Sequence, residues 1–304
     1  MILCADDFGS AADIDHCIVK LAAQRKISAV AIQAAALNGS SPDLDQLRRL
    51  QPPVDLGLQF VLTAPGRPDN SSPAESLCAQ GCFLSRGGLL LRCLRRRVSV
   101  PEVRNQLAAQ YARFVQLCGR PPDFLASHGH VHQFPCIREG LLELATHLRQ
   151  ELRLYIRQTY EPLPIVFQRG VAPYACWRLG LFGRTLLRRL QALGLPTNIG
   201  FGGLSDPARW TEYPLFLRQF LQFARQPNSL VVVHPGLQEP WRIAEFNALL
   251  NMDLSMNPPA RFAYPKGSPV GPGQSGGELT PDRKSGASDG MSVQREFGVD
   301  SPDV

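Results

Sequence analysis

The chain has 304 residues, of which 44% are hydrophobic and 19% charged, with a formal charge of +6 and an isoelectric point near 9.0. That is enough apolar content for a large globular core, and the absence of any apolar run of about 18 residues excludes a membrane-spanning helix. The positive charge admits a nucleic-acid partner, but the arginines are scattered. Their one cluster (Arg92, Arg95, Arg96 and Arg97) has no interleaved aromatics, so no nucleic-acid binding is expected.

The opening residues lack the basic stretch of a secretory signal, which makes the cytoplasm the expected location. The eight cysteines show no paired C-x-x-C spacing and read as buried thiols. Residues 1–5 form an apolar run that ends in Asp6, Asp7, Phe8 and Gly9. This reads as a buried strand delivering carboxylates at its carboxyl end, followed by a helix with Ile14, Ile18 and Leu21 at helical spacing and Ser10 as a candidate cap. A second strand is expected over residues 27–37, and a third over residues 54–63, where Gln59 is the one long polar side chain among apolar neighbours. A buried amide without a partner is costly, so Gln59 should be hydrogen-bonded, ligating or at the open end of the fold.

Residues 64–100 are an irregular insertion rich in Pro, Gly and Ser. The stripe Val103, Leu107, Tyr111, Phe114 and Cys118 then predicts a helix that starts at Pro101 and ends at Gly119. Residues 123–134 follow as a strand carrying His128, His130 and His132, half of the chain's six histidines, at two-residue spacing that would place them on one face. A helix through Ile137, Leu141, Leu144 and Leu148, a strand at residues 152–156 and an arginine-rich helix near residues 183–195 come next. A glycine-rich strand and loop (residues 197–203), a helix over residues 214–224 and an apolar strand ending in His234 complete the pattern. Past Tyr264, Pro, Gly and Ser replace apolar periodicity, so residues 1–263 are expected to be one domain and residues 264–304 a disordered tail.

Strands alternating with helices imply an α/β fold with a parallel sheet or barrel. Polar groups at four strand ends (Asp6 and Asp7, Gln59, the histidine tract and His234) match the habit of barrel enzymes of placing chemistry there. Acids and imidazoles from separate strands suit a divalent ion with open positions, which would activate water for hydrolysis of an amide. The same residues also suit a turn or a helix start, and no G-x-S-x-G elbow is present.

Cys4–Gly9, Gly57-Leu58-Gln59, Ser127-His-Gly-His-Val-His-Gln-Phe-Pro135 and Val233-His-Pro-Gly236, in that order and spacing, resemble the YdjC-like carbohydrate deacetylases. Residues 197–203 are most similar to the branch associated with hopanoid biosynthesis. The resemblance implies a single β/α-barrel-like domain of the polysaccharide-deacetylase kind and metal-dependent removal of acetyl from an N-acetylated sugar or glycolipid. Carried over, Asp7, His128 and Gln59 would hold the metal, Mg²⁺ before Zn²⁺. Asp6 would be the base, with the reverse assignment of the two acids left open, and His234 the acid. His130, His132 and Phe8 would line the substrate. A homodimer is left open. Two positions depart from the family's pattern: Gln59 stands where the family has a ligand histidine, and Ala126 where an acid commonly precedes the Ser-His pair. An amide oxygen is a poor donor for zinc, and a lost acid beside a ligand weakens affinity or activity.

Overall fold

The computed structural model describes residues 1–69, 74–149 and 153–264. The tail expected to be disordered falls almost wholly outside them. The strands are β1 (Ile2–Phe8), β2 (Ala29–Ile32), β3 (Asp55–Phe60), β4 (Cys78–Ala79), β5 (Cys82–Phe83), β6 (Phe124–Ser127), β7 (Tyr155–Ile156), β8 (Phe201–Gly202) and β9 (Leu230–Val233). The helices are α1 (Ala12–Ala23), α2 (Pro42–Arg48), α3 (Arg86–Leu94), α4 (Val100–Cys118), α5 (Ile137–Leu148), α6 (Leu163–Arg169), α7 (Pro173–Ala192), α8 (Tyr213–Phe223) and α9 (Pro240–Asn251).

Seven strands form one parallel sheet in the order β7-β6-β3-β2-β1-β9-β8, while β4 and β5 make a small antiparallel hairpin inside the 64–100 insertion. The sheet curls: Ile156 in β7 also bridges Thr197, just ahead of β8, so the two edges approach each other. The expected α/β barrel-like single domain is what the described residues form.

Alternation along the strands divides the core in two. Leu3, Ala5, Val30, Ile32, Leu56, Leu58, Val231 and Val233 face the helices and join the larger apolar cluster. Ile2, Cys4, Ala29, Ala31, Phe124, Ala126, Tyr155, Phe201, Leu230 and Val232 form a second, inner cluster. The amino ends of the strands are closed by Phe262, stacked on Tyr155 at 4.2 Å, and by Arg261, which pairs with Asp55. Gly57 is required here, because a Cβ on it would lie 2.3 Å from the Phe124 ring.

Most helix boundaries follow from local chemistry. Ser41, Ser85 and Ser99 cap α2, α3 and α4 by accepting backbone N–H bonds, and Gly119 ends α4 in the left-handed conformation. Ser10 does not cap α1; its hydroxyl donates to the Asp7 carbonyl, while the Asp15 carboxylate accepts from Gly9 N–H. The arginine-rich helix starts ten residues earlier than its sequence pattern suggests, with Pro173 in its first turn.

Candidate functional site

The carboxyl ends of the strands collect six polar side chains, and one rule puts them there. Each lies two residues beyond an inward-facing position: Asp6 after Cys4, Gln33 after Ala31, Gln59 after Gly57, His128 after Ala126, Arg157 after Tyr155 and His234 after Val232. The two-residue alternation that fills the inner cluster therefore carries these groups onto the same mouth. Asp7 has the opposite parity and reaches the site by strain instead. Its φ is +72°, in the left-handed region, where the register between β1 and β2 is broken.

Asp6 is 1% exposed and gripped by Arg157, whose Nη1 and Nη2 lie 2.6 and 2.7 Å from the two carboxylate oxygens. Arg157 is itself fully buried, and its Nη2 also reaches Cys4 Sγ at 2.9 Å. Burial opposes the charge on this guanidinium, but Asp6 more than offsets it and raises its pKa.

Asp7 is surrounded by the chain's own donors. Gln33 Nε2 and Gln59 Nε2 donate to Oδ1 at 3.0 and 3.3 Å, His128 Nδ1 lies 3.2 Å from Oδ1, and Arg242 Nη2 donates to Oδ2 at 2.8 Å. Burial pushes the Asp7 carboxyl up, but His128, His234 and Arg242 together hold it far below the usual carboxylate range. The hydrogen bond to Asp7 in turn raises the His128 pKa against the effect of burial.

The histidine tract differs from the expected strand. β6 ends at Ser127, and residues His128–Gln133 form a tight 3₁₀ turn with Gly129 and His130 at φ of +61° and +56°. The turn sends the three imidazoles in different directions. His128 stays at the mouth with its side chain 45% exposed. His132 is fully buried, its Nδ1 2.8 Å from Ser127 Oγ and its Nε2 2.8 Å from the Arg157 carbonyl. Both ring nitrogens are thus used inside the protein, and burial drops the His132 pKa to about 4. His130 is 8% exposed and packs edge-on against Phe201 at 5.3 Å. Phe8 has no exposed surface and belongs to the helix-side core. The expected substrate contacts of His132 and Phe8 are therefore corrected to packing and positioning, and His130 lies behind the mouth.

His234 remains at the mouth with its side chain 24% exposed. Its backbone N–H donates to the buried Glu245 carboxylate at 2.5 Å, and Trp241 stands edge-on to its ring at 6.0 Å. Trp241, Arg242 and Glu245 all come from α9. Sequence reading missed Gln33, Arg157, Arg242 and Glu245. Gln33 and Arg157 carry the same kind of signal as Gln59, a long polar side chain at the carboxyl end of an apolar strand; the two α9 residues carry none.

The implied divalent ion can be tested against these donors. Gln59 Oε1 accepts the Asp7 backbone N–H at 3.0 Å, so the amide is oriented with Nε2 toward both carboxylates. An NH₂ group donates only and cannot ligate a cation. Reversing the amide would set two donors against each other at Asp7 N–H. Among the described residues, no group of three or more His, Cys, Asp and Glu is placed to hold a metal ion. The expected ligand Gln59 is thus a hydrogen-bonded brace, and the residues present do not fit the ion. The second departure sits at the same spot: Ala126 is the direct cross-strand partner of Gln59 between β3 and β6.

In fold, the chain is similar to the crystal structure of an Enterococcus faecalis V583 protein named for cleavage of cellobiose-phosphate. The TM-score is 0.60 at 20% identity, covering 86% of this chain and 95% of that one. The model of the YdjC-like protein family matches residues 1–256, the span that contains every strand of the sheet and every group at its mouth, and the chain belongs to that family of carbohydrate-related deacetylases.

Proposed function

We propose that the protein binds an N-acetylated carbohydrate at this mouth and has lost the metal-driven hydrolysis associated with its family. The carrying observation is the crowding of Asp7: Gln33, Gln59 and His128 all meet Oδ1 and Arg242 meets Oδ2, where an ion would need open coordination. The partly exposed His128 and His234, together with the partly buried Trp241, offer polar groups beside an aromatic face, the mix that suits a sugar ring. A glycolipid of the hopanoid-associated kind is the narrower form of the same ligand class.

A second reading, a metal-assisted N-deacetylase with weakened affinity, has one observation in its favour. Asp7 Oδ1 and His128 Nδ1 stand 3.2 Å apart, the separation expected of two ligands sharing an ion. Calorimetry with N-acetylglucosamine oligomers, run beside an acetate-release assay with Mg²⁺, Zn²⁺ or chelator, separates the two. The first reading expects sugar binding that chelator does not change, no acetate, and no stoichiometric metal. Acetate release that chelator abolishes would establish the second reading instead. Because positions 59 and 126 face each other, metal uptake is expected in Gln59→His/Ala126→Asp, with Gln59→His alone about 10–100-fold weaker for want of the adjacent acid.

A further inference from the structure

The exposed face of α7 is unlike an ordinary solvated helix. Tyr174, Trp177 and Leu181 are 78%, 46% and 53% exposed, and Arg178, Arg184 and Arg188 are exposed beside them. Apart from the adjacent Trp177 and Arg178, successive members are three or four residues apart, so the six share one side of the helix. The opposite side is anchored by the buried Cys176, Leu179, Gly183, Leu186 and Leu190. Helix α6, which packs against α7, adds the exposed Leu163 and Phe167.

Charge decides what this face fits. Together α6 and α7 contain five arginines and no acidic residue. Arg169 is buried, donating to the Phe201 carbonyl, and Arg189 pairs with Glu139 at 3.1 Å. The other three are exposed beside the apolar residues, Arg184 with its guanidinium 5.9 Å from the centre of the Tyr160 ring. A water-facing helix gains nothing from unshielded aromatics and ordinarily mixes both signs of charge. A helix that lies in the plane of a bilayer needs this combination, with Trp and Leu entering the acyl boundary and arginines meeting anionic headgroups.

We infer that the α6–α7 face docks on an anionic phospholipid surface. No described helix is long and apolar enough to cross a bilayer, so the contact is peripheral. Its place relative to the mouth gives it a use. Phe182 packs on Phe134 at 5.3 Å, and Gly183 abuts Gln133, Thr159 and Tyr160, so α7 rests on the histidine turn and on the residues that follow β7. A protein held by this face carries its mouth beside the membrane, within reach of a lipid-borne ligand. The inference stands on exposure and charge and does not depend on which carbohydrate the mouth binds.

The test is flotation of the full chain with phosphatidylcholine vesicles, with and without phosphatidylglycerol, together with its tryptophan emission, to which Trp177, Trp210 and Trp241 contribute. Binding is expected only with the anionic lipid, with a blue shift that Trp177→Ser/Leu181→Ser removes. Arg184→Gln/Arg188→Gln should weaken binding on the order of 30-fold, and more at low salt than at high. All four side chains are exposed, so both variants should keep the parent's circular dichroism. Absence of flotation with anionic vesicles would overturn the inference, as would flotation that neither variant changes. A concentration-dependent dimer that the same substitutions dissolve, without vesicle binding, would assign the face to a second copy of the chain and overturn it equally.

Discussion

At the scale of single residues, the site is an exercise in satisfying buried charge. Asp6 and Arg157 are both removed from water, which costs several kcal/mol per ion by the usual estimate, and only the paired oxygens and guanidinium nitrogens offset it. Arg157→Met keeps the bulk and removes the charge, leaving Asp6 buried with Gln59 and the weak Cys4 thiol as its remaining donors. A loss of about 3–5 kcal/mol is expected in urea unfolding; a change under about 1 kcal/mol would show that water enters and screens the acid. The same residues show how much could be read beforehand. Gln59 was legible because an amide in an apolar strand demands a partner, and Gln33 and Arg157 obey that logic. What no pattern reveals is the direction of the Gln59 amide, since it is set by one backbone N–H whose position depends on the positive φ of Asp7.

At the scale of elements, alternation explains both success and failure. It carries Asp6, Gln59 and His234 to one mouth because each lies near or just past the carboxyl end of a strand whose inward face is already apolar. It misplaces the histidine tract because the strand stops at Ser127, and a Gly-assisted turn replaces period-two geometry with a tight coil. His-Gly-His is compatible with either, and the choice falls to the Ser127 hydroxyl, which accepts the His132 N–H at 2.9 Å and locks the turn. The strand packing itself is exacting. Gly57→Ala would drive a methyl into the Phe124 ring, which is stacked on Tyr155 at 5.1 Å and cannot easily yield. Overpacking of this kind costs about 1–3 kcal/mol, and thermal unfolding should register it even though both residues are apolar. An unchanged melting temperature would mean that the ring has room to move.

At the scale of the whole molecule, closing the curled sheet buries titratable groups of opposite pH behaviour. Folding lowers the His132 pKa from about 6.5 to about 4, so its contribution is complete above pH 6.5 and is withdrawn as pH falls toward 4. That withdrawal amounts to roughly 3 kcal/mol. Asp15 and Asp55, pushed up to about 6 by burial, work the other way: their cost is relieved as pH falls from 6 toward 3.8. The net stability curve is therefore shallower than either part, and the sharper measurement is NMR of ¹³C-labelled histidine. His132 should stay neutral until about pH 4, whereas titration near 6.5 would place it in contact with water. The α/β alternation, the apolar interior of the strands and the polar strand ends are written in the order of residues, because hydrophobic periodicity is a local property of a chain. Which groups hold the two aspartates depends on the folded molecule. Arg157 lies 151 residues from Asp6, and Arg242 lies 235 residues from Asp7. Charges so far apart in the chain meet only when the sheet bends round to bring the strand ends and α9 together.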